Sequence, residues 1–364
     1  MTLPVLHLDG AAYDQGRQHG QALAERIAAN LDTYFDRFQR EGHLTPTEAR
    51  ARAEHYLPVL RDTEYFEGMR GIADGAGQHL VDILALNVRY ELLYFQFGYN
   101  AMVDGCTAFA VLPEASANGH LLLGQNWDWI PQVLGAVVHT VELDGLETLG
   151  FTEAGIVGAK IGLNSAAVGL AINGLLTTVD DWSRPEIPFH ARCYEILRAR
   201  SFEVAAGIVS GSPRACSTNF VLAQAPDQAI DLEAAPDALE RIEPRNGLLV
   251  HANHFLDPAR LCVEEPPAER RPHSQYRQAR LQTILEARSP VAIGDLEVAL
   301  RDHDDYPDSV CRHVNPDDPE EERYITVTSA IMDLQDLSLR LTDGPPCEHL
   351  YDRYSLPHAA MLGR

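Results

Sequence analysis

Asp104-Gly105-Cys106-Thr107-Ala108-Phe109-Ala110-Val111-Leu112 is the stretch whose reading decides the fold. Asp-Gly signals a sharp turn, because glycine takes backbone angles that a side chain forbids. The run from Thr107 to Leu112 reads as a buried strand. Upstream, residues 77–99 read as a long helix. Cys106 therefore stands where a helix stops, the chain turns and a strand begins. A second apolar run, Leu121-Leu122-Leu123, ends in the cluster Gly124-Gln125-Asn126-Trp127-Asp128-Trp129. Two readings of Cys106 stand side by side. Most free cysteines are small buried hydrophobes. The alternative is a nucleophile freed by cutting Gly105–Cys106, where glycine adds no side chain to block thiol attack on its own carbonyl.

The first hundred residues are mostly helical. Residues 3–9 make a strand, and a helix follows through Phe38, with Ile27, Leu31, Phe35 and Phe38 at helical spacing. His19 is either a catalytic group or a packing residue near the helix start. Thr45-Pro46-Thr47-Glu48 opens another helix as a capping box, running to about Arg61. Helices are expected over 64–77 and 79–99.

Beyond Cys106 the pattern changes to short strands broken by Gly and Asn, at 107–112, 120–124, 136–143, 149–152, 160–164 and 168–172. Helices at 188–199 and 201–209 follow, then strands at 219–223, 229–232 and 248–252, helices at 274–286 and 293–302, and two last strands at 325–332 and 338–341. Gly, Pro and Asp dominate 302–322, read as an exposed connection that carries Arg312. The alternation supports a mixed α/β or α+β fold of stacked sheets flanked by helices.

The bulk numbers narrow the function. With 29 basic against 53 acidic residues the net charge is −24, which argues against nucleic acid and anionic membranes as partners. Six cysteines are scattered with no Cys-x-x-Cys pair, so neither a disulfide framework nor a zinc knuckle is expected. His251 and His254 share an i, i+3 spacing but lack a third ligand in a zinc pattern. No metal and no cofactor are expected. The first ten residues do not read as a secretory signal, and no apolar run spans a bilayer, so a soluble cytoplasmic protein is the expectation.

Several motifs occur in a fixed order. They are Tyr13-Asp14-Gln15-Gly16-Arg17-Gln18-His19-Gly20, Asp104-Gly105-Cys106-Thr107, Gly124-Gln125-Asn126-Trp127-Asp128, Phe151-Thr152-Glu153-Ala154-Gly155, Gly162-Leu163-Asn164-Ser165-Ala166, Val250-His251-Ala252-Asn253-His254 and Asp305-Tyr306-Pro307-Asp308-Ser309-Val310-Cys311-Arg312. Together they resemble the acyl-coenzyme A:6-aminopenicillanic-acid acyltransferase family of N-terminal-nucleophile (Ntn) hydrolases, over nearly the whole chain. The resemblance implies an α+β, four-layer αββα sandwich with a mostly helical N-terminal segment and the nucleophile at the start of a central strand. It implies self-cleavage at Gly105–Cys106 into residues 1–105, the helical segment, and 106–364, the sandwich, which stay together as one compact unit. It places the oxyanion donor on Asn253, puts Asp128 and Arg312 in the pocket, and aligns a catalytic hydroxyl with Thr218, or with its neighbour Ser217.

Cleavage before Cys106 has a chemical rationale. A free thiol ionises near 8.5 and an α-amine near 7.7–8, so the new amine is a base suited to neutral pH beside the thiol it would activate. Before cleavage that nitrogen is an amide and cannot act as a base. Asn253 reads equally as a strand-closing turn residue, and Asp128 as half of a structural ion pair. The expected activity is transfer of an acyl group from a small amide or thioester to water or an amine, with a small-molecule acyl donor and possibly an amine acceptor as partners. The alternatives are an uncleaved, non-catalytic homologue that binds a ligand or partner, and a peptidase-like enzyme cutting short amide conjugates.

Overall fold

The computed structural model describes residues 2–93, 105–265, 272–320 and 323–357. Asp104 and the part of the expected helix beyond residue 93 lie outside them. The chain enters through β1 (Val5–Asp9) and the long helix α1 (Ala12–Arg40). Helix α2 (Pro46–Glu54) starts on the expected capping box: Glu48 N–H donates to Thr45 Oγ1 at 3.3 Å, and Thr45 N–H donates to Glu48 Oε2 at 2.8 Å. The helix expected to reach Arg61 stops at Glu54, and a single turn, α3 (Leu57–Leu60), follows it. Next come α4 (Glu64–Ala76) and α5 (Leu80–Asn87). The helix expected over 77–99 is broken at Val88, with a further helical stretch at 89–93. Helix α4 lies so close to α1 that a Cβ on Gly16 would stand 2.1 Å from Gly68 O.

Two sheets then form from the strand-rich part. In the first sheet β1, β4 (Gly135–Val141), β5 (Glu147–Glu153), β6 (Ile161–Asn164), β7 (Val168–Gly174), β8 (Thr218–Gln224), β9 (Gln228–Ala234) and β10 (Leu239–Ile242) are neighbours in that order. All pairs are antiparallel except β1 with β4, so the opening strand of the helical segment is built into the sheet's edge. The second sheet runs β11 (Leu248–His251), β2 (Thr107–Val111), β3 (Leu122–Trp129), β12 (Ile325–Asp333), β13 (Ser338–Leu341) and β14 (Asp352–Ser355). Strands β2 and β3 pack across β7, and β2 also reaches β8. Helices α6 (Phe189–Leu197) and α7 (Phe202–Ser210) cover the first sheet, and α8 (Pro272–Arg288), with α9 (Ile293–Ala299) beside it, covers the second. The result is the four-layer αββα arrangement of Ntn hydrolases.

Strand β2 is buried on both faces because both are covered. Ala108 and Ala110 join the core between the sheets, while Phe109 and Val111 join a second cluster with Leu281 and Leu285 of α8. Two edge strands, β10 and β14, were not expected; their sequences, Leu-Glu-Arg-Ile and Asp-Arg-Tyr-Ser, carry too little apolar alternation to announce a strand. The stretch 302–322, expected to be exposed, is not uniformly so: Asp308 through Arg312 are buried. Charge composition misleads there because Arg312 and Asp308 pair with each other. Among the described residues no helix is long and apolar enough to cross a membrane.

In the β2–β3 ladder Gly124 lies opposite Phe109, whose ring covers it. A Cβ there would come within 2.2 Å of Ala330 O and 2.8 Å of the Phe109 ring. Gly124→Ala is therefore expected to destabilise the fold by about 3 kcal/mol, at the upper end of overpacking because the nearest atom is backbone; urea-unfolding midpoints of the variant and parent measure it.

Candidate active site

Cys106 sits just before β2, and its neighbours hold the chain on either side of the Gly105–Cys106 bond. Gly105 N–H donates to Asn253 Oδ1 at 3.0 Å. The Cys106 carbonyl accepts from Asn173 Nδ2 at 3.1 Å and from Arg277 Nη1 at 2.9 Å. Arg277, buried on α8, also donates to Asn253 Oδ1 at 3.1 Å. With its oxygen committed to two donors, the Asn253 amide must turn its Nδ2 the other way, where it donates to Gly174 O at 3.0 Å. Asn253 stands beyond the end of β11, its own N–H donating to Ser274 Oγ at 2.8 Å. A Cβ on Gly105 would stand 3.3 Å from Asp128 O and 3.8 Å from Asn253 Nδ2, so glycine fits where a larger residue would crowd the junction.

The Cys106 Sγ lies 3.9 Å from Asp128 O and faces a cleft of about 520 Å³. Trp127, Trp129, Phe189 and Tyr324 give it aromatic walls, and Arg89, Asp128, Lys160 and Asn253 give it polar groups. Burial pushes the Cys106 thiol up to about 12, and the Asp128 carboxylate adds to that push, while Arg277 and Lys160 pull the other way. At pH 7 such a thiol is ionised only on the order of one part in 10⁵. In the intact chain, then, the sulfur is a protonated thiol and a weak nucleophile.

Lys160 is the only lysine among the 364 residues. It is fully buried, bound to Glu153 and placed 3.2 Å from the centre of the Trp127 ring. Glu153 also binds Tyr34 Oη and Arg89, whose Nε donates at 3.1 Å. Burial works against ionising Glu153, but Arg89 and Lys160 prevail and hold it well below the usual carboxylate range. Burial pushes Lys160 down to about 7, with Glu153 opposing the shift. One carboxylate thus faces two cations at the wall of the cleft.

The segment 115–346 matches the family model described as acyl-coenzyme A:6-aminopenicillanic acid acyl-transferase. A relative named acyl-coenzyme A:6-aminopenicillanic-acid-acyltransferase 40 kDa form, from Emericella nidulans, is 30% identical over 322 residues, covering 85% of each chain. The chain belongs to this family. It is by that membership an Ntn-type amidohydrolase or acyltransferase. Among solved structures, a mutant conjugated bile acid hydrolase from Clostridium perfringens is similar with a TM-score of 0.47 and 12% identity, covering 70% of this chain and 97% of that one. An N-acylethanolamine-hydrolyzing acid amidase orthologue from Caenorhabditis elegans gives 0.45 and 13%, covering 63% and 93%.

The residues singled out in this family member's sequence fall at different distances from the sulfur. Gly105, Cys106, Asp128 and Asn253 line one cleft. Arg312 is joined to Asp128 through Thr326: the Arg312 N–H donates to Thr326 Oγ1 at 2.9 Å, and that hydroxyl donates to Asp128 Oδ1 at 2.7 Å. A bulge in β12 between Thr326 and Thr328, opposite Trp127 and Asp128, sets that register. Arg312 also binds Asp308 at 2.6 Å. Thr218 reaches Cys106 at one remove, its hydroxyl donating to Asn173 O at 3.4 Å. Ser217 turns instead to Asp180 at 2.6 Å. His19 is a packing residue: its Nε2 accepts from Gly155 N–H at 3.0 Å, and burial pushes it down to about 4. His251 binds Glu233 at 2.8 Å; burial alone would lower its pKa, but Asp231 and Glu233 raise it to about 9. His254 bonds to Ser274 Oγ at 2.8 Å. Among the described residues, groupings of three or more metal-ligating side chains lie outside the cleft, at His303, Cys311, His313 and Cys347 and at His120, Asp333 and Asp336.

Sequence reasoning missed Asn173, Arg277, Arg89 and Lys160. For the first three nothing in the local pattern distinguishes them from ordinary strand or helix residues. Lys160 did leave a signal, since a chain that otherwise uses arginine for its fixed cations keeps a single lysine. Lysine, unlike arginine, can lose its proton near neutral pH. Because it is unique, selective ¹³C-lysine labelling gives a single Cε resonance. That resonance is expected to titrate with a midpoint of about 7, charged at pH 5 and neutral at pH 9, and not near the ordinary 10.5.

Proposed function

We propose that the chain matures by cutting its own Gly105–Cys106 bond and then transfers acyl groups through the Cys106 thiol. The observation that carries the reading is the grip of Asn253 on the Gly105 N–H and of Arg277 on the Cys106 carbonyl, one on either side of the bond to be cut, at the mouth of an aromatic-walled cleft. In the first step the sulfur attacks the Gly105 carbonyl. The C–N bond breaks, the thiol proton passes to the Cys106 nitrogen as it leaves as an amine, and a thioester joins Gly105 to Sγ. Water hydrolyses that thioester, leaving a carboxylate on Gly105 and a free thiol.

The liberated amine is the base the buried thiol lacks in the intact chain, which gives a physical reason for cleavage to switch activity on. Asp128, which lines the same cleft as Cys106, holds the protonated amine with its carboxylate, and the Arg312 main chain is joined to that carboxylate through Thr326. In turnover the thiol attacks the carbonyl of an N-acyl amine or acyl thioester. The Cys106 ammonium protonates the leaving group, and water or an amine resolves the acyl-enzyme. The Asn253 Nδ2 group serves as oxyanion donor, supported by its enforced orientation. Thr218 acts at one remove: its hydroxyl holds the main-chain carbonyl of Asn173, whose side-chain amide holds the Cys106 carbonyl. The products of cleavage, residues 1–105 and 106–364, stay together because β1 belongs to the first sheet and Tyr34 and Arg89 bind Glu153 at the cleft wall. The partners are a small acyl donor, an amine acceptor and the chain's own N-terminal piece.

A panel of small N-acyl amines and acyl thioesters, read by product release and by hydroxamate formation with added hydroxylamine, tests the reading and separates hydrolysis from transfer. Cys106→Ala is expected to abolish both signals, and Asn253→Ala to slow turnover by about 10²–10³, the usual loss for one oxyanion donor. An active Cys106→Ala variant contradicts the assignment.

A further inference from the structure

Away from the cleft, four side chains converge on one point. The imidazole Nε2 of His313 lies 3.2 Å from His303 Nε2, 3.2 Å from Cys347 Sγ and 3.7 Å from Cys311 Sγ. The four ligating atoms all fall within 4.8 Å of one another. An imidazole nitrogen carries either one proton or one lone pair, so it cannot serve three hydrogen-bonding partners at once. A cation at the centre of the group removes that conflict, because each of the four atoms then points a lone pair inward.

We propose that His303, Cys311, His313 and Cys347 form a structural zinc site. The spacing fits. Zinc bonds to imidazole at about 2.0–2.1 Å and to thiolate at about 2.3 Å, which in a tetrahedron puts neighbouring ligand atoms about 3.3–3.8 Å apart. The three separations around His313 Nε2 lie at or next to that range. The donor set is two soft thiolates and two imidazoles, the composition that selects zinc over calcium or magnesium. His313 Nδ1 lies 3.4 Å from Glu348 Oε1, the carboxylate–histidine relation that fixes which ring nitrogen faces a metal. Four protein ligands leave no open position, so the ion has a structural and not a catalytic role.

The site also has a consequence for the fold. Cys311 and His313 flank Arg312, and Cys347 belongs to the turn after β13, whose Pro346 carbonyl accepts from Arg301 Nε at 2.8 Å. One ion would clamp the Arg312 segment to the far end of the second sheet. The sequence hides the arrangement because His313 and Cys347 are 34 residues apart and no local ligand motif joins them.

The test uses the full chain, reduced, loaded with zinc and dialysed, with bound metal measured by plasma mass spectrometry. One zinc per chain is expected. His303 and Cys347 are exposed, so His303→Ala and Cys347→Ser should keep the parent circular dichroism while zinc content after dialysis falls at least about tenfold. Cobalt in place of zinc should give the thiolate charge-transfer and visible d–d bands of a tetrahedral sulfur-ligated site, lost in both variants. Glu348→Gln should weaken zinc binding by about 10–100-fold without changing the cobalt spectrum. A reduced parent protein that retains no zinc, unchanged zinc content in His303→Ala and Cys347→Ser, or a Cys311–Cys347 disulfide in place of bound metal overturns the proposal.

Discussion

The Asn253 side-chain oxygen, shared between the Gly105 N–H and the Arg277 guanidinium, is the interaction on which the rest of the site depends. It ties the turn before β2 to the end of β11 and to helix α8. Arg277 then closes the loop by donating to the Cys106 carbonyl and to Thr107 Oγ1 at 2.8 Å. Hydrogen bonds of this kind are modest individually, but burial makes each hard to abandon, since a stranded donor costs about 1–3 kcal/mol. The geometry around Cys106 is therefore a property of the packed layers and not of a flexible loop.

Desolvation is the second constraint. It keeps the thiol protonated, lowers the proton affinity of Lys160 and would discharge Glu153 were Arg89 and Lys160 not beside it. Removing one member of such a buried group leaves a charge without its counterion, which is far costlier than the net worth of the pair. In the proposed mechanism the same desolvation leaves the intact chain's sulfur a weak nucleophile, sufficient for one slow cut in which the departing nitrogen takes the thiol proton, and the freed amine then supplies the base that repeated turnover needs.

Much of this was legible in the sequence, for physical reasons that can be named. Periodicity exposed α1, the Thr45–Glu48 box exposed α2, and the small and apolar residues after Gly105 exposed β2. The motifs around Cys106, Asp128 and Asn253 pointed to one cleft, and the family they resemble is the one the chain belongs to. The cluster at 124–129, read as the end of an apolar run, makes up the last six of the eight residues of strand β3, because Trp127 and Trp129 pack in the core and Asn126 bonds to Leu300 O at 2.9 Å and Val310 O at 2.7 Å. Arg312 was read onto an exposed stretch because composition registers charge but not pairing. Arg277 and Asn173 were invisible, since their importance comes from what the tertiary fold sets opposite them. The convergence of His303, Cys311, His313 and Cys347 was hidden for the same reason.

The measurement that tests the central claim most directly is the intact mass of the purified wild-type protein under denaturing conditions, with sequencing of its amino termini. The account predicts two polypeptides, residues 1–105 and 106–364, the second beginning with Cys106 bearing a free α-amine. A single uncut chain of 364 residues, with no terminus at Cys106, would contradict it.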